Sequence, residues 1–383
     1  DKWVCVTHPT LARECAVGQD VFIDDGTIHL KIVEIRGDVL VCKVIVGGLL
    51  SNRKGINVPD AEISLPTLSD KDKADILWGV ENDVDFIAVS FVRNRDDVLA
   101  VRRVIEEAGG DIKLIAKIES RKAVERLDEI AGVVDGMMVA RGDLGVEIPT
   151  EDVPLVQKQI IDICRSRGKL TIVATQMLDS MIRNPRPTRA EANDVANAVL
   201  DGADAVMLSG ESAAGKYPVR AVETMARIVH RAEEGLVRWQ RPFAVPTLED
   251  SVPDGVSMAA VELARKLRAR AIVSLTRSGS TATMVSKYRP ECPILAVTPS
   301  ERSCREMCLY WGVFPVMCPE GGTEEQTIKD AVRTVMQRGY AEEGDMLVIT
   351  AGMPLGVSGT TNMLRVYTIG QIVARGLPVL PGV

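Results

Sequence analysis

The chain has 383 residues, enough for two or three domains with their own cores, and its net charge of −7 argues against general nucleic-acid binding. No apolar run reaches the length of a bilayer-spanning helix, and the first residues, DKWVCVTHPT, lack a signal-peptide pattern, so neither a membrane nor a secretory route is expected. Eight cysteines are scattered without CxxC pairs, and His8, His29 and His230 lie far in sequence from Cys304 and Cys308. That pattern predicts free thiols in a reducing compartment, cytosolic or an equivalent such as a plastid, rather than disulfides or zinc.

Residues 1–64 show short alternating runs, VFIDDG, IHLKIVEI and VLVCKVIV, separated by Gly, Asp and Asn turns. This period-two pattern predicts a small β module without a helix, with Asp24 and Asp25 in a hairpin turn. A glycine-flanked basic turn follows, GGLLSNRKGIN, carrying Arg53 and Lys54. Taken alone it reads as a solvated loop.

Residues 65–235 alternate short apolar runs (FIAVSF, KLIAKI, GMMVAR, LTIVAT, AVMLSG) with amphipathic stretches such as DDVLAVRRVIEEAG. Repeated βα units at this spacing imply a parallel sheet. Within it, KLIAKIES and GMMVARGDLG each end abruptly in charge, which places Lys117, Glu119, Arg141 and Asp143 at strand C-termini, where parallel α/β folds carry their chemistry. A carboxylate pair there suits Mg²⁺, and a lysine beside it suits a phosphate or a developing oxyanion. Ordinary strand-end salt bridges are the plain alternative. Glu119 and Asp143 are expected within reach of a single cation.

Further on, TRAEA predicts a helix N-cap at Thr188 with Glu191 three residues later. The stretch QRPFAVPTLEDSVPDG after Trp239 reads as a linker, and residues 236–383 return to α/β units (AIVSL, ILAVT, VFPVM, DMLVIT). Two Gly- and hydroxyl-rich loops stand out there: LTRSGSTAT, with Thr276, Ser278, Gly279, Ser280 and Thr281, and AGMPLGVSGTTN at 351–362. The first follows a strand and opens a helix, a turn suited to a phosphate monoester or to simple helix capping. Five βα units are too few for an eight-fold barrel, which predicts a chain that begins late, with its first units missing.

The runs SNRKGINVP, KIES, MVARGDLGVE, ATQMLDSM and NPRPTRAEANDVANAVLDGADAVMLSGESAAGKYP closely resemble the pyruvate kinase family, in order and at matching intervals through the whole chain. The resemblance implies a partial (β/α)8 TIM barrel holding strands 4–8 (65–235), part of an inserted β lid domain (1–64) and a C-terminal α/β effector-binding domain (236–383). It implies phosphoryl transfer from phosphoenolpyruvate to ADP, giving pyruvate and ATP, with Mg²⁺ or Mn²⁺. K⁺ is implied too, on ligands outside this chain. By the same resemblance, Lys117 stabilises the phosphoryl group in flight, Glu119 and Asp143 hold the divalent metal, and the backbone of Gly142 and Asp143 receives the substrate carboxylate. Thr175 stands near the enol carbon, Ser209 and Glu211 near its proton path, and Lys54 with Arg53 reaches nucleotide phosphate. Arg189 lies on a helix that packs against its symmetry mate in a homotetramer.

A phosphorylated effector is implied between the two loops of the last domain. There Ser280 and MPL replace the arginine and the tryptophan-arginine-proline of the fructose-bisphosphate-responsive animal pattern, which implies a different sugar phosphate or AMP. Thr175 could otherwise be a strand-end turn residue and Ser209 an ordinary helix N-cap. Two other functions compete: a different phosphoenol-binding barrel enzyme, which would need no ADP-facing lid, and a catalytically inactive fragment or regulatory subunit that keeps only effector binding. With three barrel units absent, the 383-residue chain alone is expected to associate through open sheet edges and to lack activity.

Overall fold

The computed structural model describes residues 3–61, 63–64, 66–239, 251–319, 323–354 and 359–370. The chain forms two compact units, 1–165 with 169–240, and 166–168 with 241–383. Most of the expected linker (240–250), the middle of the second hydroxyl-rich loop (355–358) and the end of the chain (371–383) lie outside the described residues.

The first unit opens with a single helical turn, α1 (Leu11–Glu14), and an antiparallel sheet of β1 (Asp20–Ile23), β2 (Ile28–Arg36), β3 (Val39–Val46) and β4 (Ile56–Asn57), in the order β3-β2-β1-β4. Alternation sends Val21 and Ile23 inward, where they meet Ile28, Ile32, Val58 and Leu11. The turn between β1 and β2 holds Asp24, Asp25 and Gly26 at φ of 56°, 52° and 81°. Asp and Gly tolerate this left-handed backbone best, which is why the hairpin is legible in the sequence. The one helical turn departs from the expected helix-free module. Its side chains Leu11 and Ala12 are buried, and Glu14 ties both ends of the module by accepting from Ser64 Oγ (2.6 Å), Ser64 N (3.0 Å) and Thr10 Oγ1 (2.8 Å), beside His8 (2.9 Å). The Ser64 hydroxyl, then His8, Thr10 and the Ser64 amide hold the Glu14 carboxyl at about 2, against 4.5 ordinarily.

Beyond it run α2 (Asp70–Glu81), β5 (Phe86–Val89), α3 (Arg95–Glu107), β6 (Lys113–Ile118), α4 (Arg121–Glu125), α5 (Leu127–Ala131), β7 (Gly136–Ala140) and α6 (Arg141–Glu147). They are followed by α7 (Val153–Ser166), β8 (Leu170–Ala174), a 3₁₀ turn (Asp179–Ile182), α8 (Arg189–Asp201), β9 (Ala205–Val206), α9 (Gly210–Ala213) and α10 (Pro218–Trp239). The five strands β5 to β9 are parallel and sit in sequence order, an arc of a (β/α)8 barrel. Strands β7 and β8 are buried at every position, as continuous apolar runs demand. Helices α2 and α8 carry full capping boxes, Ser69 with Asp72 and Thr188 with Glu191, the second as its sequence predicts. At Gly136, a Cβ would lie 2.8 Å from both the Cβ and the carbonyl oxygen of Leu170, so β7 and β8 approach only because that residue is glycine.

The second unit contains α11 (Val252–Leu267), β10 (Ala271–Leu275), α12 (Ser280–Ser286), β11 (Ile294–Thr298), α13 (Glu301–Met307), β12 (Val313–Met317), α14 (Glu324–Gln337), β13 (Met346–Gly352) and β14 (Thr361–Thr368). The sheet order is β12-β11-β10-β13-β14, parallel except for β14, an antiparallel edge that the apolar runs do not announce because its burial alternates weakly. Pro315 sits on the opposite edge strand, β12, where a missing N–H is tolerated. The end of the expected linker is helical instead: Ser251 caps α11 by accepting from Asp254 N, and Pro253 stands in the first turn, both helix-starting signals. Asp254 then receives Lys287 Nζ (2.6 Å) and Tyr288 OH (2.8 Å), a buried tie between α11 and the end of α12. No described helix is long and apolar enough to cross a membrane.

Gly136→Ala is expected to destabilise the first unit by about 1–3 kcal/mol through overpacking, measured by chemical denaturation. Because the folded value of Glu14 is depressed, its contribution is present above the ordinary value of 4.5 and is lost as pH falls through about 2. Glu14→Gln is therefore expected to melt below the parent at pH 7, the gap closing on acidification when melting is followed across that window.

Candidate active site

Lys117 and Glu119 are two residues apart at the end of β6, so strand pleating turns both to the same side while Ile118 packs into the core. The Lys117 ammonium lies 2.6 Å from Glu119 Oε1 and donates to Ser90 Oγ at 3.0 Å. Glu119 is fully buried, and its Oε2 accepts from the Phe91 amide at 2.6 Å. Its other oxygen, Oε1, is buried and has the Lys117 ammonium as its ion-pair partner. Burial raises the Glu119 carboxyl above its ordinary range, against the opposing pull of Lys117 and the Phe91 amide, and the charge of Asp143 raises it further.

Asp143 is the third residue of α6, the short helix that β7 runs into. Its carboxyl is also raised, by burial and then by the charge of Asp25 in the β1–β2 turn, with Lys117 opposing. Glu147, at the end of the same helix, is raised by burial and again by Asp143; Asn57 of β4 donates to its Oε1 at 3.4 Å, and Arg121 donates to its carbonyl at 3.0 Å. Asp143 thus shares its field with three carboxylates and one ammonium. A buried carboxylate oxygen held only by an ammonium, beside a second carboxylate, fits a hard divalent cation that keeps water or substrate oxygens for its remaining positions. Among the described residues no group of three or more His, Cys, Asp or Glu is assembled for a metal, so a dedicated protein cage is not what this rim offers.

Thr175 follows β8 at φ 71°, and Gln176 at 54°. A β-branched residue there is strained by about 1–3 kcal/mol and persists only where its surroundings impose it. The surroundings are visible. Thr175 Oγ1 accepts from Gly142 N at 2.9 Å and donates to Ala174 O at 2.6 Å. Arg141 Nη2 donates to Thr175 O at 2.7 Å, and Nη1 pairs with Asp194 of α8 at 2.7 Å. Arg141 stands out in the sequence only as a charge; its forked bracing role, and that of Asp194 53 positions away, has no signature in spacing. The Gly142 N–H, which the resemblance directs at a substrate carboxylate, is taken by Thr175, so a substrate would have to share or replace that bond.

Ser209 occupies the N-cap of α9 but makes no capping hydrogen bond with its side chain. Glu211 is buried and accepts from two backbone amides, Ser209 N at 2.8 Å and Leu178 N at 3.0 Å, which makes it a brace between two loops. In the N-terminal β module, Lys54 pairs with Asp24 at 2.7 Å, which raises the lysine above its ordinary range, and Arg53 sits exposed at φ 62°. Arg189 is exposed in the first turn of α8.

In the second unit the two hydroxyl-rich loops meet. Thr281 and Thr361 hydroxyls bond at 2.9 Å in the interior, and Gly359 N donates to Ser280 Oγ at 3.3 Å. Gly279, at φ 88°, donates its N–H to Thr276 Oγ1 at 3.0 Å, and Ser278 Oγ donates to Ser280 Oγ at 3.3 Å.

Because the folded Glu119 carboxyl is raised, its ionised form opposes folding once pH rises above the ordinary glutamate range. Metal-free Glu119→Gln is expected to melt above the parent at pH 8, with the difference shrinking toward pH 4. Added Mn²⁺ should raise the parent's melting temperature and leave the variant's unchanged, read by calorimetry.

Residues 1–222 match the family model described as "Pyruvate kinase, barrel domain", and residues 254–367 match "Pyruvate kinase, alpha/beta domain". The chain is 45% identical over 367 residues to a pyruvate kinase of Clostridium acetobutylicum, covering 95% of this chain and 77% of that protein. It is 45% identical over 371 residues to one of Clostridium perfringens, covering 95% of this chain and 78% of that protein. Against one of Geobacillus stearothermophilus it is 47% identical over 380 residues, covering 97% of this chain and 64% of that protein. With both family models matched and these relatives 45–47% identical over most of its length, this chain belongs to the pyruvate kinase family.

Proposed function

We propose that the rim at the ends of β6, β7 and β8 transfers the phosphoryl group of phosphoenolpyruvate to ADP. The observation that carries the reading is the Lys117 ammonium set between Ser90 Oγ and the buried carboxylate of Glu119 at the strand-end rim. A cation aimed at charge in transit lowers the barrier without reorganising, and most strongly where water is excluded.

The bond from the enol oxygen to phosphorus breaks as one forms from phosphorus to the terminal oxygen of ADP, leaving pyruvate enolate to take a proton at its methylene carbon. Lys117 faces the transferring group. Thr175, held in a strained backbone by Arg141, presents its hydroxyl at the next strand end, near the enol carbon. Glu119 and Asp143 would hold Mg²⁺ or Mn²⁺, which when bound neutralises phosphate and enolate charge. Lys54 and Arg53 serve the nucleotide phosphates from the lid, Lys54 exchanging Asp24 for phosphate.

Assembly as a homotetramer through α8, a phosphorylated effector at Thr276, Ser278, Gly279, Ser280 and Thr281, a K⁺ requirement and a cytosolic location complete the reading. The basic lid turn favours a kinase over an aldolase or lyase on the same barrel, because only the kinase needs an ADP-facing lid.

In the full-length protein, Lys117→Met is expected to raise the barrier by about 3–4 kcal/mol, slowing turnover roughly a hundredfold to a thousandfold, while phosphoenolpyruvate still binds. Coupled spectrophotometric turnover and equilibrium binding of phosphoenolpyruvate decide it; near-parental turnover would remove Lys117 from the mechanism.

A further inference from the structure

The segment leaving β5 does more than connect it to α3. Its two residues Ser90 and Phe91 touch both charged groups of the neighbouring strand: Ser90 Oγ accepts from Lys117 Nζ at 3.0 Å, and Phe91 N donates to Glu119 Oε2 at 2.6 Å. Phe91 adopts φ 52°, a left-handed backbone in which a bulky residue is an outlier. Its ring is 59% exposed, so the strain is not offset by burial of the side chain. The next residue, Val92, is fully buried, and the one after it is anchored: Asp97 accepts from Arg93 N at 2.9 Å, Arg93 Nε at 3.0 Å and Thr67 Oγ1 at 2.8 Å. With β5 fixed on one side by its pairing to β6 and Val92 and Asp97 fixed on the other, the intervening backbone must turn sharply. That turn directs the Phe91 N–H inward at Glu119.

We infer that Ser90 and the Phe91 amide are positioning elements for Lys117 and Glu119: the amide fixes one carboxylate oxygen, and Ser90 gives the ammonium, which lies 2.6 Å from Glu119 Oε1, an acceptor that holds it when a divalent cation takes that oxygen. Phe91 commits one carboxylate oxygen to the backbone, which fixes the carboxylate plane. Ser90 gives the ammonium a second acceptor, so that it can yield Oε1 to a cation and still keep a partner. Without the hydroxyl, the ammonium has only the carboxylate to satisfy it, and the cation loses its oxygen. The inference rests on the metal role proposed for Glu119 and Asp143.

The test is a double-mutant cycle on substrate-free Mn²⁺ binding, followed by the electron paramagnetic resonance of free Mn²⁺. Ser90→Ala is expected to weaken binding about tenfold and Ser90→Thr, which restores the hydroxyl, to recover most of it. In a Lys117→Met background the Ser90→Ala effect should vanish, because no ammonium remains to compete with the cation for Oε1. An equal loss in both backgrounds would show that Ser90 only supports the fold and would overturn the inference. Turnover of the full-length protein should follow the same order, about tenfold down in Ser90→Ala and recovered in Ser90→Thr.

The Phe91 amide supplies a readout independent of metal. With five phenylalanines in the chain, ¹⁵N-phenylalanine labelling isolates it. It should exchange slowly in the parent and in Ser90→Ala, and fast in Glu119→Ala. Fast exchange in the parent would overturn the clamp. A protected amide in a parent that binds no Mn²⁺ would overturn the metal role instead.

Discussion

A fully buried carboxylate held beside a lysine is the constraint on which the rest of the first unit depends. Glu119 costs folding free energy in its ionised form, since burial, with the charge of Asp143, outweighs Lys117 and the Phe91 amide. Both of its oxygens are engaged, Oε2 by the Phe91 amide and Oε1 by the Lys117 ammonium. The surrounding loops hold that arrangement in place. The turn after β5 grips both groups, α6 brings Asp143 alongside, and the β1–β2 turn adds Asp25 to the same field. The same rim holds strained backbone, at Phe91 and at Thr175–Gln176, where bracing hydrogen bonds over-determine it.

Much of this is legible in the sequence because the signals are local. Apolar runs ending in charge locate β6 and β7, period two locates β1 to β3, and Thr188 with Glu191 declares the start of α8. Lys117 and Glu119 lie two apart on one strand, so their meeting is a consequence of pleating. What is not legible is non-local. Nothing in the spacing of Arg141, Thr175 and Asp194 says that one guanidinium bridges a strand end and a helix. Left-handed Phe91 and Thr175 are invisible to propensity, because tertiary contacts impose a conformation that their side chains disfavour. The start of α11 is obscured by Pro253, which interrupts helices in general yet is accommodated in the first turn.

The second unit follows the same logic with hydroxyls in place of charges. Ser274 and Thr350 share a buried hydrogen bond across β10 and β13, and Thr281 and Thr361 share another between α12 and β14. These pairs fix the loops at their roots, while Ser278, Ser280 and the Gly359 amide remain nearer the surface. A rigid base with exposed hydroxyl and amide groups above it is a frame in which a ligand's oxygens could be counted by hydrogen bonds rather than by net charge.

The ion pair between Lys54 and Asp24 has a consequence of its own. Each residue is held by the lid, one in the basic turn and one in the β1–β2 hairpin, so the lysine carries its own counter-ion. An anion that takes up Lys54 has to displace an intramolecular carboxylate whose effective concentration is fixed by the fold, not by the solution. A dilute or singly charged anion competes poorly against such a partner, whereas a polyphosphate brings several oxygens to one exchange. In the proposed nucleotide role of Lys54, the aspartate is therefore a built-in threshold that filters anions by charge density.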